Sequence, residues 1–290
     1  MPLLRLNLVE GQLQCPEIAD DALPNHISGH LQSLDRRAPI VILLHGYRYS
    51  PRCRYRDAHK LIFAERHRTD RPRRISVSWP SSLGYAPETG GPGLCLPISW
   101  DARGGLRDVY CRAEEAGRQL AELLDHLAEL DPLRPVHLMA HSLGARVALT
   151  AVAEAQSPLV RKLILLAPAA FRSQAIRALT SRGGAEMEVL QVSPAENRVF
   201  DLLLSRALGT GRSDGPTLGR AEILAVNWVR LGVDTEEDLA HLGDLGFVIG
   251  ARTSRVCHWS AYLRPGLMSL YSACLSGAGI ESFSSLARTS

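Results

Sequence analysis

The sequence predicts an α/β fold, a mostly parallel central sheet with helices on both faces. Two observations carry that expectation. Short β-type runs alternate with longer segments of helical period along the chain. The middle runs, such as PIVILLHG (39–46) and KLILLAP (162–168), are aliphatic almost throughout instead of alternating. Strands buried on both faces read this way, and parallel neighbours need helical crossovers between them.

Taken in order, LLRLNLV (3–9) alternates in the manner of an edge strand. PIVILLHG ends in Gly46, and RISVSWP (74–80) stops at Pro80, which has no N–H for a ladder. From Arg107 to Leu130 the apolar residues Val109, Ala113, Ala116, Leu120, Leu123, Leu127 and Leu130 recur three or four apart, which predicts an amphipathic helix. Then follow the strand PVHLMA (135–140), a helix from about Ser142 to Ala155, and the strands KLILLAP and MEVLQVS (187–193). VIGARTSRVC (248–257) is the last strand candidate, and the Ser- and Ala-rich tail from Gly279 is expected to fray. Two stretches, 81–105 and 208–220, are rich in turn residues. The chain is expected to form one domain, 1–290, with candidate cap insertions at about 81–105 and 205–245. These hold Tyr85, Trp100, Trp228 and Leu231. Long loops above the carboxyl edge of a sheet tend to carry function.

Composition narrows the class. The 290 residues are 46% hydrophobic and 22% charged, ordinary for a globular protein. A chain this long buries roughly three-quarters of its unfolded surface without staples. The start, MPLLRLNLVEGQ, lacks a basic stretch followed by a long apolar one, so it does not read as a signal peptide. The longest apolar run, Leu163 to Phe171, is about half of what a membrane helix needs. Six cysteines (15, 53, 95, 111, 257, 274) form no C-x-x-C pair, so reduced thiols in the cytoplasm are the simpler expectation. The net charge of +3 conceals a basic segment, Arg48 to Arg74, with nine Arg and one Lys against Asp57, Glu65 and Asp70. A solvated surface is the plainer reading of that run and a rim for an anion the sharper one. It carries no nucleic-acid-binding motif.

The stretch VHLMAHSLGARVAL, Val136 to Leu149, drives an apolar strand into Ser142 and continues as a helix. GRSDG (211–215) fits the literal G-x-S-x-G pattern better, yet no apolar run precedes it and no helical period follows. A nucleophile between strand and helix sits on a sharp, strained turn with its hydroxyl at the sheet edge. Small residues two before and two after let the two backbones nearly touch, and Ala140 adds only one methyl there.

In these features the chain resembles the α/β-hydrolase superfamily, along most of its length. His45-Gly46 after an aliphatic strand resembles the family's oxyanion motif. Trp79-Pro80-Ser81 resembles a motif of uncharacterised bacterial esterase- or lipase-like members. His258, near the C-terminus, stands where the family places its base. The resemblance implies a catalytic order of serine, acid, histidine. Ser142 would be the nucleophile and His258 the base, with Leu143 and Tyr47 supplying oxyanion-hole N–H groups and His45 and Gly46 bracing the loop. His137 and His141 flank the elbow without facing Ser142 productively, His241 lies in a helical period, and His26 and His30 stand i, i+4 with no sign of a metal. The family places the acid in the segment VLQVSPAENRVFD, which offers Glu196 first and Asp201 as the alternative. Glu196 also reads as a charge at a helix N-terminus.

The function implied is a serine hydrolase that cleaves a carboxylic ester through an acyl-enzyme. Thioesterase or acyltransferase chemistry on the same residues is the alternative, and a non-catalytic binding protein on the same scaffold the second class. No cofactor and no metal are implied. The expected partner is a small-molecule acyl ester, with no nucleic acid and no integral membrane segment.

Overall fold

The computed structural model describes residues 3–19, 22–72, 77–208, 214–252, 254–276 and 280–287. Eight strands form one sheet: β1 (Leu6–Val9), β2 (Gln12–Gln14), β3 (Ile40–Leu44), β4 (Leu94–Trp100), β5 (Val136–His141), β6 (Val160–Leu166), β7 (Glu188–Val192) and β8 (Trp228–Leu231). Their spatial order is β2-β1-β4-β3-β5-β6-β7-β8. Only β1 and β2 pair antiparallel. They are joined at Glu10-Gly11, both at positive φ (51° and 80°), the backbone a tight two-residue hairpin requires.

The uninterrupted aliphatic runs become the centre of this sheet. In β3, Ile40, Ile42 and Leu44 enter the core on one face, and Val41 and Leu43 enter the core on the other. The first core is roofed by the helices Leu23–Ser33, Leu106–Leu130, Gly144–Glu154 and Arg172–Thr180. The second is closed by Trp79–Ser82, Ser260–Leu263 and Leu267–Ser276, with a short 3-10 turn at Phe283–Leu286. On Leu106–Leu130 the predicted stripe of Val109, Ala113, Ala116, Leu120, Leu123 and Leu127 is buried, whereas its last member, Leu130, is exposed at the helix end. Gly117 lies on the same face, where a Cβ would strike Thr150 and the Val147 carbonyl, so this glycine sets how closely the helix meets Gly144–Glu154.

Several local expectations are corrected. The stretch 81–105 is not a cap: it contains β4, a fully buried strand between β1 and β3. Its turn residues flank Leu94–Trp100, and Pro97 within the strand masks its β character. The stretch 205–245 likewise contributes β8 and the helix Glu236–Asp244. Tyr85, Trp100, Trp228 and Leu231 are core residues and do not roof a site. No strand is found in 248–257 among the described residues, and Trp79–Ser82 is a helical turn with Pro80 in its first positions, where no N–H is needed. Residues 73–76 of the expected strand 74–80, and 211–213 of GRSDG, lie outside the described residues. Beyond Gly279, Phe283 and Leu286 are buried, so that part of the tail is packed against the second core.

The basic segment is partly neutralised from outside itself: Arg52 pairs with Glu10 and Arg66 with Glu88. Within it, Lys60 pairs with Asp57 and Arg68 with Asp70. Among the described residues no helix is long and apolar enough to cross a membrane.

Candidate active site

The chain passes from β3 to β4 on one side of the sheet and then to β5 on the other. Where strand order reverses, a crevice opens beyond the carboxyl ends of the strands, and ligands of open α/β sheets bind there. Ser142 follows the last residue of β5 at that place. Its φ is +55°, a left-handed conformation that strains a residue with a Cβ by about 1–2 kcal/mol. Three bonds hold it so: its N–H donates to Leu166 O (3.0 Å), and its carbonyl accepts from Ala145 N (3.0 Å) and Ala169 N (2.9 Å).

The glycines around the elbow have steric causes. A Cβ on Gly144 would overlap the carbonyls of Leu44 and His45, and one on Gly46 would overlap Ser142 Cβ. Ala140 is packed in the core beside Leu44 and Leu165, so its methyl is accommodated within the sheet.

His258 stands opposite the serine, with Nε2 2.8 Å from Ser142 Oγ. On its far side Nδ1 is 2.7 Å from Oδ1 of Asn197. An amide oxygen only accepts, so Nδ1 carries the proton and Nε2 presents a lone pair to the serine hydroxyl. The Phe200 ring packs on the imidazole at 4.6 Å between centroids and His141 at 4.7 Å. Burial, reinforced by the neighbouring His141, depresses the His258 pKa well below the usual imidazole range and keeps the ring neutral. The loop carrying it is tied at two points: Cys257 N–H donates to Glu196 O (3.2 Å), and His141 Nε2 bonds the His258 carbonyl (3.0 Å).

The residues expected as the acid do not meet the imidazole. Glu196 is buried and turned onto Arg264, whose Nη2 lies 2.6 Å from Oε2 and Nε 3.3 Å from Oε1. Arg264 also reaches Asp234 at 2.9 Å and the Val233 carbonyl. Glu196 and Asn197 share the 3-10 turn Ala195–Asn197, so consecutive side chains leave it in different directions and only Asn197 faces His258. Asp201 lies one turn further, in the helix Arg198–Leu208, buried in the wall of the same cavity, and forms no hydrogen bond to His258 among the described residues. Asn197 bears no carboxylate, so a pattern of serine, acid and histidine passes over it. The signal that could have redirected the assignment, a buried arginine claiming Glu196, lies 68 residues away at Arg264.

Ser142, His258, Asn197, Tyr47 and Leu143 line one cavity of about 340 Å³, otherwise walled largely by apolar groups such as Leu106, Phe200 and Leu204. Neither the Tyr47 nor the Leu143 backbone N–H donates to another described residue. His45 is fully buried and braces the loop that carries Tyr47. Its Nε2 accepts from Trp100 N–H (3.1 Å), its Nδ1 bonds Gly46 O (2.9 Å), and its ring stacks on Trp100. Burial drives its pKa down to about 3, so it stays neutral. Trp79 packs edge-on against His141 and Tyr262 behind the elbow, which gives the Trp79-Pro80-Ser81 motif a supporting place. Among the described residues no three His, Cys, Asp or Glu side chains converge as metal ligands.

The profile of the alpha/beta hydrolase family matches residues 41–274. No curated protein matches the chain. Among solved structures, TT1662 from Thermus thermophilus is similar at 17% identity and a TM-score of 0.40, with 82% of this chain and 88% of that one covered. An esterase 2 of Thermogutta terrifontis, phosphoramylated by tabun in its structure, is similar at 15% identity and a TM-score of 0.27, with 68% and 74% covered. With the family profile spanning most of its length, the chain belongs to the alpha/beta hydrolase family.

Proposed function

We propose that this protein is a serine hydrolase that cleaves a small carboxylic ester through an acyl-enzyme. One observation carries the reading: Ser142 Oγ, His258 and Asn197 form a continuous line of contacts, 2.8 Å and 2.7 Å, that begins at a strained elbow. Fold alone would not support it, since the same scaffold serves many purposes.

In this mechanism His258 Nε2 takes the hydroxyl proton as Ser142 Oγ attacks the acyl carbon. The negative charge passes to the former carbonyl oxygen, which the free N–H groups of Leu143 and Tyr47 receive. The imidazolium keeps its Nδ1 proton on Asn197 Oδ1 and returns the Nε2 proton to the leaving alkoxide. A water, deprotonated by the same nitrogen, then attacks the acyl carbon, and His258 Nε2 returns that proton to Ser142 Oγ as its bond to the acyl group breaks and the acid leaves. Asn197 thus takes the place the acid has in the usual arrangement, fixing the tautomer without carrying a charge. The apolar walls of the cavity suit an acyl group.

The test is intact mass after treatment with a fluorophosphonate, run beside Ser142→Ala. One adduct on the wild type and none on the variant is expected. Folded wild-type protein that takes no adduct would defeat the proposal and leave a binding role in its place. A panel of matched esters and thioesters then reads which acyl bond is cleaved faster.

A further inference from the structure

An amide at His258 Nδ1 raises a chemical problem that a carboxylate would not. Asn197 has no negative charge to stabilise an imidazolium, and its oxygen and nitrogen ends have nearly the same shape. If Nδ2 faced the imidazole, two N–H donors would meet and the histidine tautomer would be lost. Something must hold the amide in its productive orientation.

Asp201 is placed to do so. It lies four residues after Asn197 as the chain enters Arg198–Leu208, and the residue is only 4% exposed. The Asn197 side chain is its polar neighbour and favours its charged form against burial. The backbone of Gly219 is pressed against it so closely that a Cβ there would overlap both carboxylate oxygens. Arg230, on β8, and Arg220 are its charged neighbours, yet neither forms an ion pair with it, and it has no ion-pair partner among the described residues. A carboxylate buried without a paired cation is costly, so its retention beside Asn197 calls for a use. Asp201 lines both the cavity of Ser142 and His258 and a second, larger cavity of about 610 Å³ that contains neither of them, so water and protons can reach it from either side.

We propose that Asp201 is a positioning residue that acts on His258 through Asn197. Its carboxylate accepts from Nδ2 of Asn197, which turns Oδ1 of the same amide toward His258 Nδ1–H and polarises that oxygen. No proton crosses the amide. During acylation the Ser142 proton moves to Nε2, the Nδ1 proton stays on the imidazolium, and the Nδ2 protons stay on Asn197. Protonated Asp201 loses acceptor capacity and gains an O–H that competes for Oδ1. Burial pushes its pKa up to about 6, against the opposing pull of Asn197, Arg230 and Arg220. His258 remains neutral well below its ordinary value, so an acid limb near pH 6 belongs to Asp201.

The inference rests on the serine-nucleophile reading, and one experiment separates the two. Second-order rates of fluorophosphonate labelling are measured from pH 4.5 to 9 on the full chain: wild type, Asp201→Asn, Asn197→Asp and the double variant. Asp201→Asn is expected to lower the plateau rate roughly 10- to 100-fold, short of the ~10⁴-fold typical when a triad acid itself is neutralised, and to abolish the limb near pH 6. In the Asn197→Asp background, where a carboxylate meets His258 directly, Asp201→Asn should cost less than about threefold. Equal losses in both backgrounds would reduce Asp201 to a structural residue and overturn the proposal. So would wild-type rates and pH profile in Asp201→Asn. Should Asp201→Asn not fold, the wild type decides: a profile flat from pH 5 to 8 overturns the role. Wild-type protein that takes no label removes the nucleophile reading itself.

Discussion

His141 Nε2 lies 3.0 Å from the backbone carbonyl of His258, so the residue just before Ser142 holds the chain that carries the imidazole facing it. A carbonyl only accepts, and burial lowers the His141 pKa to about 4, so the ring is neutral with its proton on Nε2. Trp79 and Tyr262 pack edge-on against it and fix the ring plane. His141→Phe keeps the shape and removes the donor. The labelling rate should fall by about tenfold, the equivalent of one neutral hydrogen bond of ~1.4 kcal/mol. His141→Gln, which can present an N–H, should recover part of the loss. Wild-type rates in His141→Phe would show that packing alone holds the His258 loop.

Ser142→Ala gives the sharpest loss. On the proposed mechanism, ester turnover should drop by roughly four to six orders of magnitude, because the variant removes the attacking hydroxyl. Its melting temperature should stay at or above the wild-type value, since Ala and Ser meet the same left-handed strain and Ala leaves no hydroxyl to satisfy. Steady-state assay and a thermal melt on the same preparation check both halves.

Glu196→Ala should act on stability far more than on chemistry. It strips the bidentate partner from an arginine that is itself buried, and leaving such a charge uncompensated costs about 3 kcal/mol or somewhat more. Asp234 and the Val233 carbonyl remain on Arg264 and limit the damage. A melting temperature several degrees lower is expected, with a labelling rate within a few fold of wild type, because the Glu196 backbone oxygen still ties Cys257. A folded variant whose labelling falls by three orders of magnitude would return Glu196 to the role of triad acid.

The parallel sheet, the long amphipathic helix and the elbow at Ser142 were legible because each leaves a local periodic or steric mark. β3 and the end of β6 are aliphatic on both faces, β5 is buried throughout, and Leu106–Leu130 repeats every three to four residues. β4 escaped because Pro97 and its glycine-rich approach resemble a loop, although its ladder with β3 is intact over five residue pairs. The third partner of His258 was out of reach for a different reason. Glu196, Asn197 and Asp201 all lie within six residues, and their assignment depends on a 3-10 turn and on Arg264, Arg230 and Gly219, which are distant in sequence. Local pattern places the loop, and long-range packing chooses the side chain.

That choice has a thermodynamic signature at Asp201. Its folded-state pKa is raised from 3.8 to about 6 by burial, so between those values the folded protein binds more protons than the unfolded chain. Stability from this group is therefore greatest below about pH 4 and is lost as pH rises through 6. Above that, the ionised carboxylate destabilises the fold by roughly 3 kcal/mol, the free-energy equivalent of a shift of about two pKa units. Asp201→Asn removes the buried charge while keeping the shape. Its melting temperature should equal that of the wild type near pH 4 and exceed it by several degrees at pH 8, with the gap opening between pH 4.5 and 6.5. The same substitution is expected to slow labelling, the pattern seen where a site retains a destabilising group for function. Thermal melts of both proteins across that pH series measure the gap. A variant less stable than wild type at pH 8 would mean that Asp201 is held by interactions strong enough to outweigh its desolvation.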